Sequence, residues 1–132
     1  MRILVVDDEE DMHFLFRQKF RKEIRTSQLE FDSAFSSEEA LVYLQSTVAT
    51  SLVLILSDIS MPGMSGLELL KNIKEKYPTI VVFMIQSFGR DRHQQLISSA
   101  QADDYISKPI KLDLIKTKIL KLKEKLGEKN VC

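Results

Sequence analysis

The sequence predicts one α/β domain in which a parallel sheet is doubly wound, with helices packed on both faces. Three observations predict it. Strand-like apolar runs alternate with helix-length segments five times along the 132 residues, joined by short connections. The runs show little in–out alternation, as expected of strands buried on both faces. Two of the runs end in acid, Asp7-Asp8 after the first and Asp58 after the third. Parallel strands deliver their C-terminal ends to one sheet edge, where ligands bind. Right-handed crossovers favour an open sandwich over a barrel at this length.

Ile3 to Val6 is the first strand, short and purely aliphatic. Glu10 to Arg25 follows with helical spacing, placing Met12, Leu15, Phe16, Phe20 and Ile24 on one face. Leu29 to Phe35 is the second strand. Ser36-Ser37-Glu38-Glu39 is a capping box that opens a helix through Leu44. Leu52 to Leu56, all aliphatic, is the third strand and leads through Ser57 to Asp58. Pro62-Gly63 marks a turn, and Ser65-Gly66-Leu67-Glu68 is a second capping box whose helix ends at Tyr77, before Pro78. Ile80 to Ile85 is the fourth strand. Residues 91–100 form a helix with Leu96 and Ile97 as its only large apolar residues. Asp104 to Ser107 is the fifth strand, and Pro109 interrupts the chain. The last helix carries Leu112, Ile115, Ile119, Leu122 and Leu126. Residues 1–126 therefore form one domain, and 127–132, from Gly127, a flexible tail.

Composition excludes several classes. Lys+Arg and Asp+Glu both number 19, so the formal net charge is zero and no whole-domain basic surface for nucleic acid is expected. The single cysteine is Cys132, which leaves no internal disulfide, no thiolate metal site and no prenylation signal. The opening apolar run is too short for a signal peptide, and no stretch approaches membrane-spanning length. The expected setting is cytoplasmic, without membrane contact.

Like charges gathered as closely as Asp7, Asp8 and Asp58 repel, and they persist beside a cation or with raised pKa values. Mg²⁺ prefers hard oxygen ligands and takes one or two protein carboxylates, leaving positions for water and phosphate, so it suits this set better than calcium. A carboxylate can also attack phosphorus to give an aspartyl phosphate. That chemistry requires a cation for the phosphoryl oxygens, and Lys108 follows the fifth strand at the same edge.

At these residues the chain resembles the receiver domain of bacterial two-component response regulators, the CheY-like family. The matching segments are Ile3 to Glu9, Ser57 to Leu70 (SDISMPGMSGLELL) and Ala102 to Pro109 (ADDYISKP), in order and each at a strand end. The resemblance implies a flavodoxin-like (βα)5 fold with strand order 2-1-3-4-5, the switch-point topology for which this fold family is a standard example. It implies that Asp58 is the phosphoacceptor, that Asp8 binds Mg²⁺ directly and Asp7 partly through water, and that the backbone carbonyl of Ser60 completes the protein ligands. Lys108 would pair with the phosphoryl group, with a cis peptide to Pro109, and Tyr105 would be the aromatic switch on the fifth strand. The expected partners are a sensor histidine kinase or phosphotransfer protein and a downstream protein target or output domain. A homodimer through the fourth and fifth helices (91–100 and the last) is a further possibility. The receiver is not an enzyme in its own right; it assists only its own phosphorylation and dephosphorylation.

One position departs from the family pattern. Counting back from Lys108 without a gap places Gln86 where Thr or Ser is usual, with Ser87 at the small-residue position. Sliding one residue to use Ser87 would turn the strand's side chains to the wrong face. Gln can donate through its amide but is longer and has no hydroxyl. A pseudo-receiver, a constitutive interaction module with impaired switching, is therefore the alternative. An aspartyl-nucleophile phosphohydrolase ranks last, because such an enzyme places a second Asp two residues after the nucleophile, where Ser60 stands. The basic cluster Arg17, Lys19, Arg21, Lys22 and Arg25 reads as a solvated face or a docking surface for the phosphodonor. His13 and His93 have no ligand-like spacing and are assigned to no metal.

Overall fold

The structure is a computed structural model that describes residues 1–87 and 102–129. Five parallel strands form one sheet: β1 (Arg2–Val6), β2 (Glu30–Ala34), β3 (Leu52–Asp58), β4 (Val81–Ser87) and β5 (Asp104–Lys108), in the order β2-β1-β3-β4-β5. The helices are α1 (Glu10–Lys19), α2 (Arg21–Arg25), α3 (Ser37–Leu44), α4 (Gly66–Lys76) and α5 (Leu112–Lys129). A short 3-10 turn at Thr47–Ser51 leads into β3. The helix expected at 91–100, and His93 with it, lie outside the described residues.

The period-two geometry of the strands divides the core into two layers. Ile3, Val5, Leu54, Leu56, Phe83, Ile85 and Ile106 face one side, where Phe16 and Phe20 from the first helical segment and Ile115 and Ile119 from α5 cover them. Leu4, Val6, Ile55, Val82 and Met84 face the other side, against Ala40 and Leu44 of α3 and Leu69, Leu70 and Ile73 of α4. The sheet is therefore doubly wound. No described helix is long and apolar enough to cross a membrane.

Both serine N-caps form, the first half of each expected capping box. The Ser36 hydroxyl accepts the Glu39 N–H at 3.0 Å and the Ser65 hydroxyl accepts the Glu68 N–H at 3.2 Å, each satisfying a donor left open by the first helical turn. Several details of the helices differ from expectation. The first helix opens at Phe20, although the Phe20 N–H still reaches the Phe16 carbonyl and the Ile24 N–H reaches that of Phe20, so the path stays nearly continuous. Phe20 is fully buried against Phe31, and seating that ring takes precedence over regular backbone. Leu15 is exposed rather than inward, because the inner face of α1 is rotated towards buried His13. Finally, α5 continues through Gly127 to Lys129, beyond the Leu126 that closes its apolar stripe.

Candidate functional site

The strand order places β1 beside β3, with Val6 opposite Ser57, so Asp7 and Asp58 leave adjacent strand ends together. Asp7 and Asp58 are nearly inaccessible, 1% and 2% exposed, while Asp8 opens to solvent. One carboxylate oxygen from each of the three lies within 4.8 Å of the others, a grouping that could hold a metal ion. Across the sheet, β5 ends opposite the end of β4, with Lys108 paired to Ser87, and the Lys108 ammonium donates to Asp58 Oδ2 at 2.9 Å. The Lys108–Pro109 peptide is cis. The four charged residues singled out from sequence thus come together at one edge.

The pocket is held from several directions. The Asp7 N–H donates to the Ala34 carbonyl at 3.1 Å, and Asp7 Oδ1 accepts the Glu9 N–H at 2.8 Å. Asp7 Oδ2 is buried without a hydrogen-bond partner. Burial, and secondarily the charge of Asp58, push the Asp7 carboxyl up to about 6, against the opposing pull of the Glu9 N–H and Lys108. For Lys108, burial works against the charged form. The hydrogen bond and attraction of Asp58, with Asp7 behind it, outweigh burial and hold the ammonium above its ordinary pKa. An orphaned acceptor among clustered carboxylates is the arrangement a hard, oxygen-seeking cation completes.

The segment after β3 is anchored just as closely. Ser60 N–H donates to Asp58 Oδ1 at 3.1 Å, Ile59 N–H to the Ile85 carbonyl at 2.9 Å, and Gly66 N–H to the Ile59 carbonyl at 2.9 Å. A Cβ at Gly66 would lie 2.0 Å from the Asp58 carbonyl oxygen, so only glycine lets α4 start this close to the site. The start of α3 clasps the same segment. The Ser37 hydroxyl donates to the Met64 carbonyl at 2.9 Å and the Glu38 carboxylate accepts the Met64 N–H at 3.0 Å, a bond that holds the Glu38 carboxyl below its usual range.

Gln86 lies inside β4, opposite Ser107, because the strand runs to Ser87 rather than stopping at Ile85. It shares a face with Met84, and Tyr105 lies opposite Met84 in β5, half-buried against the core layer of α3 and α4. The two proposed switch positions therefore occupy one face of the β4–β5 pair. Sequence reasoning named His13, Gly66, Ser37 and Glu38 but missed the contacts that they make around the site. The sharp turn after β3 could have flagged Gly66, whereas Ser37 and Glu38 act on Met64, 26 or 27 residues away, and the His13 contact depends on how α1 leaves β1, so these leave no local signal.

The sequence model of the response regulator receiver domain matches residues 3–120, and the chain belongs to that family of two-component signalling proteins. Chemotaxis protein CheY-3 of Vibrio cholerae is 32% identical over 130 residues, covering 96% of this chain and 94% of that protein. A cyclic di-GMP phosphodiesterase of Thermotoga maritima is 33% identical over 119 residues, which are 90% of this chain but only 30% of that longer protein. The crystal structure of response regulator protein TrrA from Thermotoga maritima, in complex with Mg²⁺-BeF, is similar at a TM-score of 0.71 with 34% identity, over 92% of this chain and 97% of that one.

Proposed function

We propose that this receiver accepts a phosphoryl group on Asp58 from a sensor histidine kinase or phosphotransfer protein, in the presence of Mg²⁺, and thereby changes a surface read by a downstream protein target or output domain. The observation that carries this reading is the placement of the Asp58 carboxylate between the Lys108 ammonium and the acidic pair Asp7 and Asp8. A bound Mg²⁺ supplies positive charge to the phosphoryl oxygens and offsets the repulsion among the carboxylates. Asp7, Asp8, Asp58 and the Ser60 carbonyl would hold it. The Mg²⁺-BeF complex of TrrA supports the same choice of ion.

In the transfer, an Asp58 carboxylate oxygen forms a bond to phosphorus as the bond from phosphorus to the donor's nitrogen or oxygen breaks, and the donor leaves with that electron pair. The Ser60 N–H steadies the Asp58 carboxylate, and Lys108 stands where the incoming negative charge needs a partner. Such a protein turns over no external substrate; it assists only its own phosphorylation and dephosphorylation. We assign this work to residues 1–126, with 127–132 as a terminal tail whose first three residues still belong to α5.

A second reading, a pseudo-receiver with impaired switching, is favoured by one observation: Gln86 occupies the β4 position on the face it shares with Tyr105. Incubation with acetyl phosphate and Mg²⁺, followed by intact mass measurement, tests the main reading. Addition of one phosphoryl group that is lost with chelator and absent from Asp58→Asn is expected. An unchanged mass would favour the constitutive module.

A further inference from the structure

The Asp7–Asp8 peptide joins the two carboxylates expected to meet the ion, so its orientation decides where both side chains point. The peptide before it is fixed by the sheet, through the Asp7 N–H to the Ala34 carbonyl. The carbonyl of the Asp7–Asp8 peptide is fixed by a side chain: His13 Nε2 lies 2.8 Å from the Asp7 backbone oxygen, reaching back from the second turn of α1. A carbonyl oxygen only accepts, so the ring carries a hydrogen on Nε2. The other nitrogen, Nδ1, is buried without a hydrogen-bond partner, and the whole side chain is 4% exposed. The Phe35 ring packs on the imidazole with centroids 4.4 Å apart, which confines it from the β2–α3 side. Burying a polar ring with one nitrogen left unmatched costs stability, and packing alone would be better served by an apolar residue.

We propose that His13 is a positioning residue for the ion site, holding the Asp7–Asp8 peptide so that both carboxylates converge on Asp58. Three hydrogen bonds then pin Asp7, at its N–H, its carbonyl and Oδ1, and leave Oδ2 as the atom free for a ligand. Phe35, although exposed on its outer side, supports His13 through this ring contact. The inference rests on the Mg²⁺ reading given above.

The test compares His13→Gln with His13→Met, two unbranched side chains of similar length of which only Gln can donate to the Asp7 carbonyl. Mg²⁺ is titrated into each purified protein and followed by the amide shifts of Asp8 and Glu9. Groups that orient metal ligands commonly alter affinity by roughly tenfold. His13→Met is expected to bind Mg²⁺ about tenfold more weakly than wild type, and His13→Gln within about twofold of it. Equal weakening in both variants, or wild-type affinity in His13→Met, overturns the proposal. A long-range nitrogen–proton spectrum of the wild-type imidazole reads the bond without any variant: hydrogen on Nε2 supports it, and hydrogen on Nδ1 alone overturns it. Saturable Mg²⁺ binding that ignores the variants removes only the role of His13. Absence of Mg²⁺ binding in wild type removes the Mg²⁺-dependent phosphoacceptor reading and this inference together.

Discussion

Replacing Asp7 by Asn is expected to stabilise the metal-free protein at neutral pH, although it removes a proposed ligand. Asp7 is 1% exposed, its Oδ2 has no hydrogen-bond partner, and Asp58 lies beside it. Burial first, then that neighbouring charge, move its carboxyl from 3.8 to about 6. A raised carboxylate pKa means that the folded state binds the proton more tightly than the unfolded chain. Stability from this group is therefore full below the unfolded value and declines as pH rises from about 4 to 6. The displacement corresponds to roughly 3 kcal/mol as an upper bound, and sharing of charge with Asp58 reduces what one substitution recovers. Asn keeps an oxygen for the Glu9 N–H and replaces the orphaned oxygen with an amide that can donate to Asp58. Urea unfolding at pH 7.5 in chelator should show Asp7→Asn more stable by about 1–3 kcal/mol. That gap should narrow as the pH falls through 6 towards 4. Added Mg²⁺ should stabilise wild type far more than the variant, since it binds only the native site. A variant no more stable than wild type at pH 7.5, or a gap independent of pH, would refute the reasoning.

Three further perturbations separate the roles of nearby residues. Lys108→Ala should fold with an unchanged circular dichroism spectrum but lose a charge-assisted bond worth roughly 1.5–3 kcal/mol to the phosphorylated state, seen as impaired phosphorylation; loss of the fold would make Lys108 structural. Gly66→Ala should cost roughly 2 kcal/mol or more in denaturant unfolding, because its methyl would meet the Asp58 backbone at 2.0 Å, and backbone cannot rotate aside; near-wild-type stability would show that α4 can start elsewhere. Gln86→Thr should enlarge the amide shift changes induced by beryllofluoride around Tyr105, because threonine offers a hydroxyl on a shorter side chain where Gln86 offers a longer amide. Wild-type changes across residues 86–107 as large as those of the variant would show that Gln86 couples normally.

The site was more legible than the details that support it. Asp7, Asp8, Asp58 and Lys108 could be placed from sequence because each ends a strand, and parallel strands share an edge whatever the loops do. The order β2-β1-β3-β4-β5 came from the family resemblance, since apolar runs reveal strands but not neighbours. The break at Phe20 was hidden because the spacing of Phe16, Phe20 and Ile24 is helical on both sides of it, while Phe20 itself, packed against Phe31, leaves helical geometry. Leu15 was misplaced for a related reason. Its spacing suits either edge of the apolar stripe, and in the structure His13 and Phe16 are buried while Leu15 faces out. The extra turn of α5 beyond Leu126 carries no apolar periodicity, so it left no pattern to read. The clasp of Ser37 and Glu38 on Met64 spans 26 or 27 residues and is set by how α3 and α4 pack.

Chemical trapping of the acyl phosphate tests the central claim most directly. After reaction with acetyl phosphate and Mg²⁺, borohydride reduces an aspartyl phosphate to homoserine, and peptide mass spectrometry locates the converted residue. Homoserine at position 58 alone, formed only when Mg²⁺ is present, is the predicted result. Conversion at another aspartate, or at position 58 with equal yield in chelator, would contradict the account.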